Sequence, residues 1–439
     1  MLIAFALLIV ALLAKDATPL GDRFVLRALS EGTALVVGGG WLALSGGRIF
    51  NRWHLVLGLY FAALVFAIPQ VASPWFVSLQ VLALAAILLF ALAFLDAAKL
   101  DVRQPLLVAR TMLIALTVVC LVSLLLRVWY PAFTFEQTFE GPRFRGVFSK
   151  PAMMGAASGL LLGLCLFVPW HWSIRAVGIA ASLPCLFLTG SRTFWVAAVV
   201  SMGAMGIRYV RWSRTFVPMV AALIVAVLCL GIVVGTQVTS EQRAKIFRQG
   251  SLENLSGRTA MWTQALERYW EHPWLGYGFT AGGVVLSESG WRGTGSASSN
   301  SPSQGAVTLH NGYVQALLDS GGIGAALYVA VIVSALLCFL RYDGAKQYAA
   351  EFYCLLFLAI ANLGETVIFG AAVLHGVWFW YVTVLALTLP SLASPVSSPV
   401  QADSLNRETP LEVETERVSS PATPEPRRFP LVQSREAWR

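Results

Sequence analysis

The sequence is poor in charge. Of 439 residues only 12% are Asp, Glu, Lys or Arg, against 57% hydrophobic, and the mean hydropathy is +0.69. That balance excludes an ordinary water-soluble domain and implies a polytopic membrane protein. Cysteine is absent in any working pattern. Cys120, Cys165, Cys185, Cys229, Cys338 and Cys354 all fall inside apolar runs, without C-x-x-C spacing or a nearby histidine, so they read as small packing residues. No Asp/Glu/His cluster has metal-ligand spacing, and neither a metal nor a cofactor is expected. The net charge of +8 has no basic soluble domain to carry it, which argues against a nucleic-acid partner. Internal repeats and a chain of charges at the bilayer midplane, both common in transporters, are missing too.

What the sequence does have is a series of apolar runs at 1–14, 24–44, 53–69, 75–95, 105–127, 152–169, 173–189, 193–209, 215–235, 312–340, 349–363 and 366–389. They predict an all-α protein of about twelve membrane helices. The first run begins at Met1 without a basic leader, and a first helix is expected there in preference to a cleaved signal peptide. With the amino terminus in the cytoplasm, every inner loop carries Lys or Arg, including Arg52, Arg110, Arg175, Arg208 and Arg341, as the positive-inside rule requires. An even number of spans puts both termini inside. The domain plan is thus 1–235, nine spans; 236–310, one large outer loop with short helices; 311–390, three spans; and 391–439, a Pro/Ser/Glu-rich tail expected to be disordered. Several tryptophans near span ends, among them Trp75, Trp129, Trp172 and Trp274, fit interfacial belts.

Chemistry concentrates on the outer face. RVWYPAFTFEQTFEGPRFRGVFSK (127–150) brings Arg143 and Arg145 there, and FLTGSRT places Arg192 at the start of a helix that Thr189 or Ser191 can cap. In the large loop, Met261, Trp262, Ala265, Leu266, Tyr269 and Trp270 form one stripe of an amphipathic helix. Ser256 can cap that helix, Arg258 lies in its first turn, and Pro273 and the glycines of LGYG end it. The stripe fits either the membrane surface or the tops of the spanning helices. Gly282–Gly305, rich in Gly and Ser, reads as a lid or a plain connector.

TLHNGYVQALLDSGGIG (308–324) then sets His310 where a polar stretch meets an apolar helix. A neutral imidazole can take a proton from a sugar hydroxyl near neutral pH, and a helix amino terminus can hold an anion. Permanently charged guanidinium groups suit the oxygens of a diphosphate. Asp319, about two turns further on, needs a partner because a mid-membrane carboxylate costs roughly 2.5–3.5 kcal/mol, and a structural salt bridge is expected for it. Asn311, Tyr313 and Glu365, the last in the turn NLGET, are candidate supports for the site.

TGSRT (189–193), SGRTAMW…HPWLGYG (256–278) and LHNGYVQALLDSGGIG (309–324) resemble the signature segments of the O-antigen ligase and O-antigen polymerase superfamily. RFRGVFSKPAMMG (143–155) resembles the segment before them, with Ala152 where the family usually has Asn after the proline. The resemblance implies a C-type glycosyltransferase fold in the bacterial inner membrane that uses an undecaprenyl-diphosphate-linked glycan at the periplasmic face. It also implies that His310 is the base and that Arg192 and Arg258 hold the diphosphate, with Arg145 added from the partial match. The acceptor is lipid A–core oligosaccharide in a ligase, a second lipid-linked unit in a polymerase, and a protein hydroxyl in related oligosaccharyltransferases. A single large outer loop bearing both Arg258 and His310 favours the ligase. A lipid-linked glycan transporter is the reading without catalysis.

Overall fold

The computed structural model describes residues 23–46, 50–71, 73–98, 103–138, 141–209, 258–288, 308–367 and 373–393, all within one unit spanning residues 1–394. The runs expected at 1–14 and 215–235, the cap at Ser256 and the tail beyond 394 lie outside the described residues.

The described chain is almost entirely helical. In order come α1 (Arg23–Ser45), α2 (His54–Ala67), α3 (Pro74–Ala97), α4 (Arg103–Trp129), the antiparallel pair β1 (Phe135–Thr138) and β2 (Gly141–Phe144), α5 (Pro151–Phe167), α6 (Trp172–Leu188) and α7 (Arg192–Tyr209). Then follow α8 (Arg258–Tyr269), α9 (Gly282–Glu288), α10 (Gly312–Arg341), α11 (Ala349–Ala361) and α12 (Leu374–Ala393). Pro74 and Pro151 each stand in a first helical turn, where the missing N–H costs nothing. Among the described residues four helices are long and apolar enough to cross a membrane: Pro74–Ala97, Arg103–Trp129, Gly312–Arg341 and Leu374–Ser391. His54–Gln70, Pro151–Phe167 and Trp172–Leu188 are shorter apolar helices, so this is a membrane protein whose described spans do not number twelve.

Helix α5 organises the part of the bundle that carries the site. Its glycines at 155, 159 and 163 repeat every fourth residue and make one smooth face. Phe194 of α7 packs on Gly155, while Phe357 and Tyr353 of α11 pack on Gly159 and Gly163, closer than any Cβ would allow. Phe194 and Phe357 also meet each other, with ring centroids 6.1 Å apart. The start of α7 is thereby brought to the turn after α11, where Thr193 presses on Gly364.

Helix α10 departs from the single span expected at 312–340. Gly321 has φ 63° and ψ −172° inside it, a conformation open to glycine and closed to other residues. Residues fifteen apart on one straight helix stand roughly 22 Å apart. Yet the rings of Tyr313 and Tyr328 are 5.9 Å apart, and Asn362 accepts from Gly312 N at 2.8 Å while donating to Tyr328 Oη at 3.0 Å. The helix therefore folds back at Gly321 into two arms, 312–320 and 322–341.

The loop 272–278 fills that break. Tyr277 N and Gly278 N donate to the carbonyls of Leu318 and Asp319 at 3.1 and 2.7 Å, and Gly322 N and Ile323 N donate to Pro273 O and Trp274 O at 2.7 and 3.4 Å. Every backbone group freed by the fold-back in these positions finds a partner on the loop. The LGYG and SGGIG stretches are thus two halves of one stitched junction.

Candidate active site

The site is built from the ends of four elements. Asn311 caps α10: its side-chain oxygen accepts from Tyr313 N at 3.0 Å and Val314 N at 3.1 Å. Gly312 N is taken by Asn362 O and Gln315 N by Asn311 O. The amino-terminal N–H groups of this helix are therefore all engaged, and the expectation that they hold an anion is corrected: a protein cap already occupies them. Asn311 acts on the helix end, and Tyr313 reaches across to donate to Ala359 O of α11 at 2.9 Å.

His310 precedes the cap with φ 51°, a left-handed conformation that costs a non-glycine residue about 1 kcal/mol or more and persists only where its surroundings fix it. They do so on both sides. Trp262 of α8 donates from its indole to Leu309 O at 2.8 Å, and the Asn311 cap follows directly. The imidazole Nδ1 lies 2.8 Å from Glu365 Oε2, while Glu365 Oε1 receives Arg258 Nη2 at 3.0 Å. Arg258 Nη1 donates in addition to Gly364 O at 2.6 Å. One carboxylate thus joins a histidine and an arginine that lie far from it in the chain.

Burial in this trio is graded. The Glu365 side chain is 4% exposed, that of Arg258 21% and that of His310 38%. Burial alone would raise the Glu365 carboxyl, but the hydrogen bond and charge of His310, with the charges of Arg258 and Arg143, hold it below its ordinary value. With the carboxylate on Nδ1, the neutral form of the imidazole carries its proton there and leaves its lone pair on Nε2. Among the described residues no hydrogen bond engages Nε2.

The other expected residues fall as follows. Arg192 opens α7 and is partly buried, next to the Thr193–Gly364 contact. Arg143 donates from Nε to Thr189 O at 3.2 Å, so it closes the end of α6 while its charge reaches Glu365. Arg145 turns the other way, donating to Phe133 O at 3.1 Å with its guanidinium 5.6 Å from the Phe133 ring centroid. Thr189 ends α6, its hydroxyl bonded to Leu186 O at 2.8 Å, and does not start α7.

Asp319 forms no salt bridge among the described residues. It is fully buried, and its oxygens accept from Gly282 N at 2.7 Å, Gln315 Nε2 at 2.9 Å and Thr280 N at 3.1 Å. Backbone amides satisfy it where a cation was expected, because the fold-back brings the loop and not another span against it. The stretch read as a lid or connector begins as helix α9, with Leu286 buried against Met261, Ala265, Leu309 and Leu318; the remainder, 289–305, lies outside the described residues. The amphipathic stripe of α8 divides: Met261 and Ala265 pack inward, while Leu266 and Trp270 stay exposed.

Sequence reasoning missed the weight of Arg143 and Glu365. Arg143 sits in the short strand β2 and Glu365 in a turn, neither with a periodic signal, and only the placement of α6, α7 and α11 brings them to His310. Among the described residues no group of three or more His, Cys, Asp or Glu is arranged to hold a metal ion.

No curated protein matches the chain. Residues 177–329 match the family described as O-antigen ligase, a stretch that contains Arg192, Arg258 and His310 and stops short of Glu365 on one side and Arg143 on the other. This segment supports the resemblance to the O-antigen ligase superfamily over about a third of the chain, and the carboxylate that joins its histidine to its arginine is supplied from beyond it.

Proposed function

We propose that the protein is an O-antigen ligase-type glycosyltransferase that moves a glycan from undecaprenyl diphosphate to a hydroxyl of lipid A–core oligosaccharide, at the periplasmic face of the bacterial inner membrane. The observation that carries this reading is the His310–Glu365–Arg258 bridge, with its buried acid and exposed base. In the reaction His310 Nε2 takes the acceptor proton as the hydroxyl oxygen attacks the anomeric carbon. The bond from that carbon to the diphosphate oxygen breaks, and the diphosphate leaves with the bonding pair. Displacement in one step inverts the anomeric centre. General-base help of this kind contributes about 10²–10⁴-fold.

Glu365 keeps Nδ1 protonated and stabilises the imidazolium that forms, the role a buried acid plays behind a catalytic histidine. Arg192 and Arg143, with the unengaged N–H groups of Arg258, are the cations for the leaving diphosphate; Arg145 is a more distant member of this set. Neutralised in this way, a diphosphate is a competent leaving group without a metal.

The outward orientation is supported by charge at the other end of the bundle. Arg110, Arg175 and Arg208 all cluster there, where the positive-inside rule expects the cytoplasm. In this reading 236–310 is periplasmic, the spans occupy 1–235 and 311–390, and the tail 391–439 is cytoplasmic with both termini inside.

The test supplies purified protein in nanodiscs with lipid-linked glycan and, separately, lipid A–core or a second lipid-linked unit. Product on lipid A–core is expected. Extension of the lipid-linked unit alone would replace the ligase with a polymerase, and passage of the donor across a bilayer with no new bond would replace both with a transporter.

A further inference from the structure

Asn362, which ends α11 and is fully buried, meets both arms of α10. Its carbonyl takes Gly312 N at 2.8 Å at the start of the first arm, and its Nδ2 donates to Tyr328 Oη at 3.0 Å on the second. The side-chain amide also lies against Gly312 so closely that a Cβ there would overlap it. Gly312 has no left-handed φ, so glycine is needed at this position for close approach and not for backbone freedom. The amide Oδ1 has no hydrogen-bond partner among the described residues, which is costly for a buried polar atom. The turn that follows has little freedom. Leu363 N donates to Ile360 O at 3.0 Å, and Gly364 N and Glu365 N donate to Ala361 O at 3.1 and 3.0 Å, so the backbone coils on from α11 to Glu365. Gly312 comes two residues after His310, and Glu365 comes three after Asn362. The contacts Asn362 to Gly312 and Glu365 to His310 are therefore two ties between the same two segments.

We propose that Asn362 is a positioning residue for the imidazole: pressed on Gly312 and held by Tyr328, it sets the separation at which His310 Nδ1 meets Glu365. The loop 272–278 fixes the first arm of α10 at its Gly321 end, and Asn362 fixes it at the end that bears His310. Without this side chain the backbone bond from Gly312 N remains, but the start of the arm is free to settle toward α11. The 2.8 Å contact between Nδ1 and Oε2 then loses length and alignment, on which a hydrogen bond depends steeply. The proton is no longer confined to Nδ1, and a share of the rings carries it on Nε2 instead. The consequence for transfer rests on His310 being the base: a ring protonated at Nε2 has no lone pair there for the acceptor hydroxyl.

The experiment uses the full chain in phospholipid nanodiscs, with histidine labelled at both ring nitrogens for NMR, and no donor or acceptor present. The His310 signals are assigned by their absence from His310→Gln, and the tautomer is read at a pH where the ring is neutral. Wild type is expected to show the Nδ1-protonated form, and Asn362→Ala, its fold checked by thermal unfolding, a mixture of the two forms. Transfer by that variant should fall by up to about 10²-fold in kcat, as for other small misplacements of a catalytic group, with KM for the lipid-linked donor changed by less than about twofold. Tyr328→Phe removes only the acceptor of the Nδ2 bond and is expected to shift the tautomer the same way by less. The wild-type tautomer in folded Asn362→Ala overturns the proposal; if that variant does not fold, the wild-type tautomer in Tyr328→Phe overturns it. A mixed tautomer with undiminished transfer would keep Asn362 as the residue that positions the imidazole and remove His310 as the base, so the two readings fail separately.

Discussion

The two ends of the helix bundle use arginine differently. At one end Arg110 donates to Pro169 O, Arg175 to Cys165 O and Leu166 O, and Arg208 to Phe339 O and Leu340 O. Each satisfies carbonyls at or just beyond a helix carboxyl terminus, where cations are favoured by the dipole and by the unpaired acceptors. At the other end Arg143 and Arg258 also meet terminal carbonyls, those of Thr189 and Gly364. There, however, a buried carboxylate is added, and it connects the caps to an exposed imidazole. The same residue type closes helices at both ends and at one of them also binds an acid that reaches a histidine; what separates the two is that one acid in a turn.

That difference is open to direct attack. His310→Ala is expected to lower glycan transfer by about 10²–10⁴-fold with donor binding retained, measured by product formation and by donor titration. Wild-type turnover in the purified variant would remove the general base from the scheme.

Glu365→Gln retains the shape and loses the charge. Transfer should fall by roughly one to two orders of magnitude, as expected when the group orienting a catalytic or metal-bound histidine is lost. Its pH signature has a definite sign. The folded Glu365 value is depressed below the ordinary 4.5, so its contribution to stability is fully present above that value and is lost as pH falls through the folded value. Wild type should therefore melt above the Gln variant at neutral pH, and the gap should close only below pH 4.5. A gap constant throughout the acid range would show that Glu365 is not held ionised.

Asp319→Ala orphans the N–H groups of Thr280 and Gly282 and the Gln315 amide, at about 1–3 kcal/mol in thermal unfolding. Faster amide exchange should appear at 276–282, where the loop is stitched to the break. Smallest is Arg208→Ala at the far end, expected to cost about 1–2 kcal/mol of stability and to leave transfer per folded molecule unchanged. Loss of turnover in folded Arg208→Ala protein would erase the distinction between the two ends.

Much of the helical layout was legible in hydropathy. Runs read at 75–95, 105–127, 152–169 and 193–209 correspond to Pro74–Ala97, Arg103–Trp129, Pro151–Phe167 and Arg192–Tyr209. Lipid and core both demand apolar residues, so the pattern persists whichever one a helix faces. The same insensitivity hid the break at Gly321, since an apolar run continues through it and the loop that satisfies it lies about forty-five residues earlier. His310 stood out because a polar stretch meets an apolar one there. Its partner Glu365 was legible only as one candidate support among three, because nothing local in NLGET distinguishes a solvated turn from one pressed against α7 and α8. The helix-end anion site failed for a related reason: Asn311 was visible as a polar neighbour, but its capping geometry requires the backbone turn that precedes it.

The most direct test of the bridge is a double-mutant cycle on glycan transfer with His310→Ala, Glu365→Gln and the two combined. If Glu365 acts through the imidazole, adding Glu365→Gln to His310→Ala should change the residual rate by less than about twofold, a large non-additivity for two groups in contact. Equal proportional losses in both backgrounds would mean that the carboxylate and the histidine work separately, and the bridge would be a structural ion pair with no part in transfer.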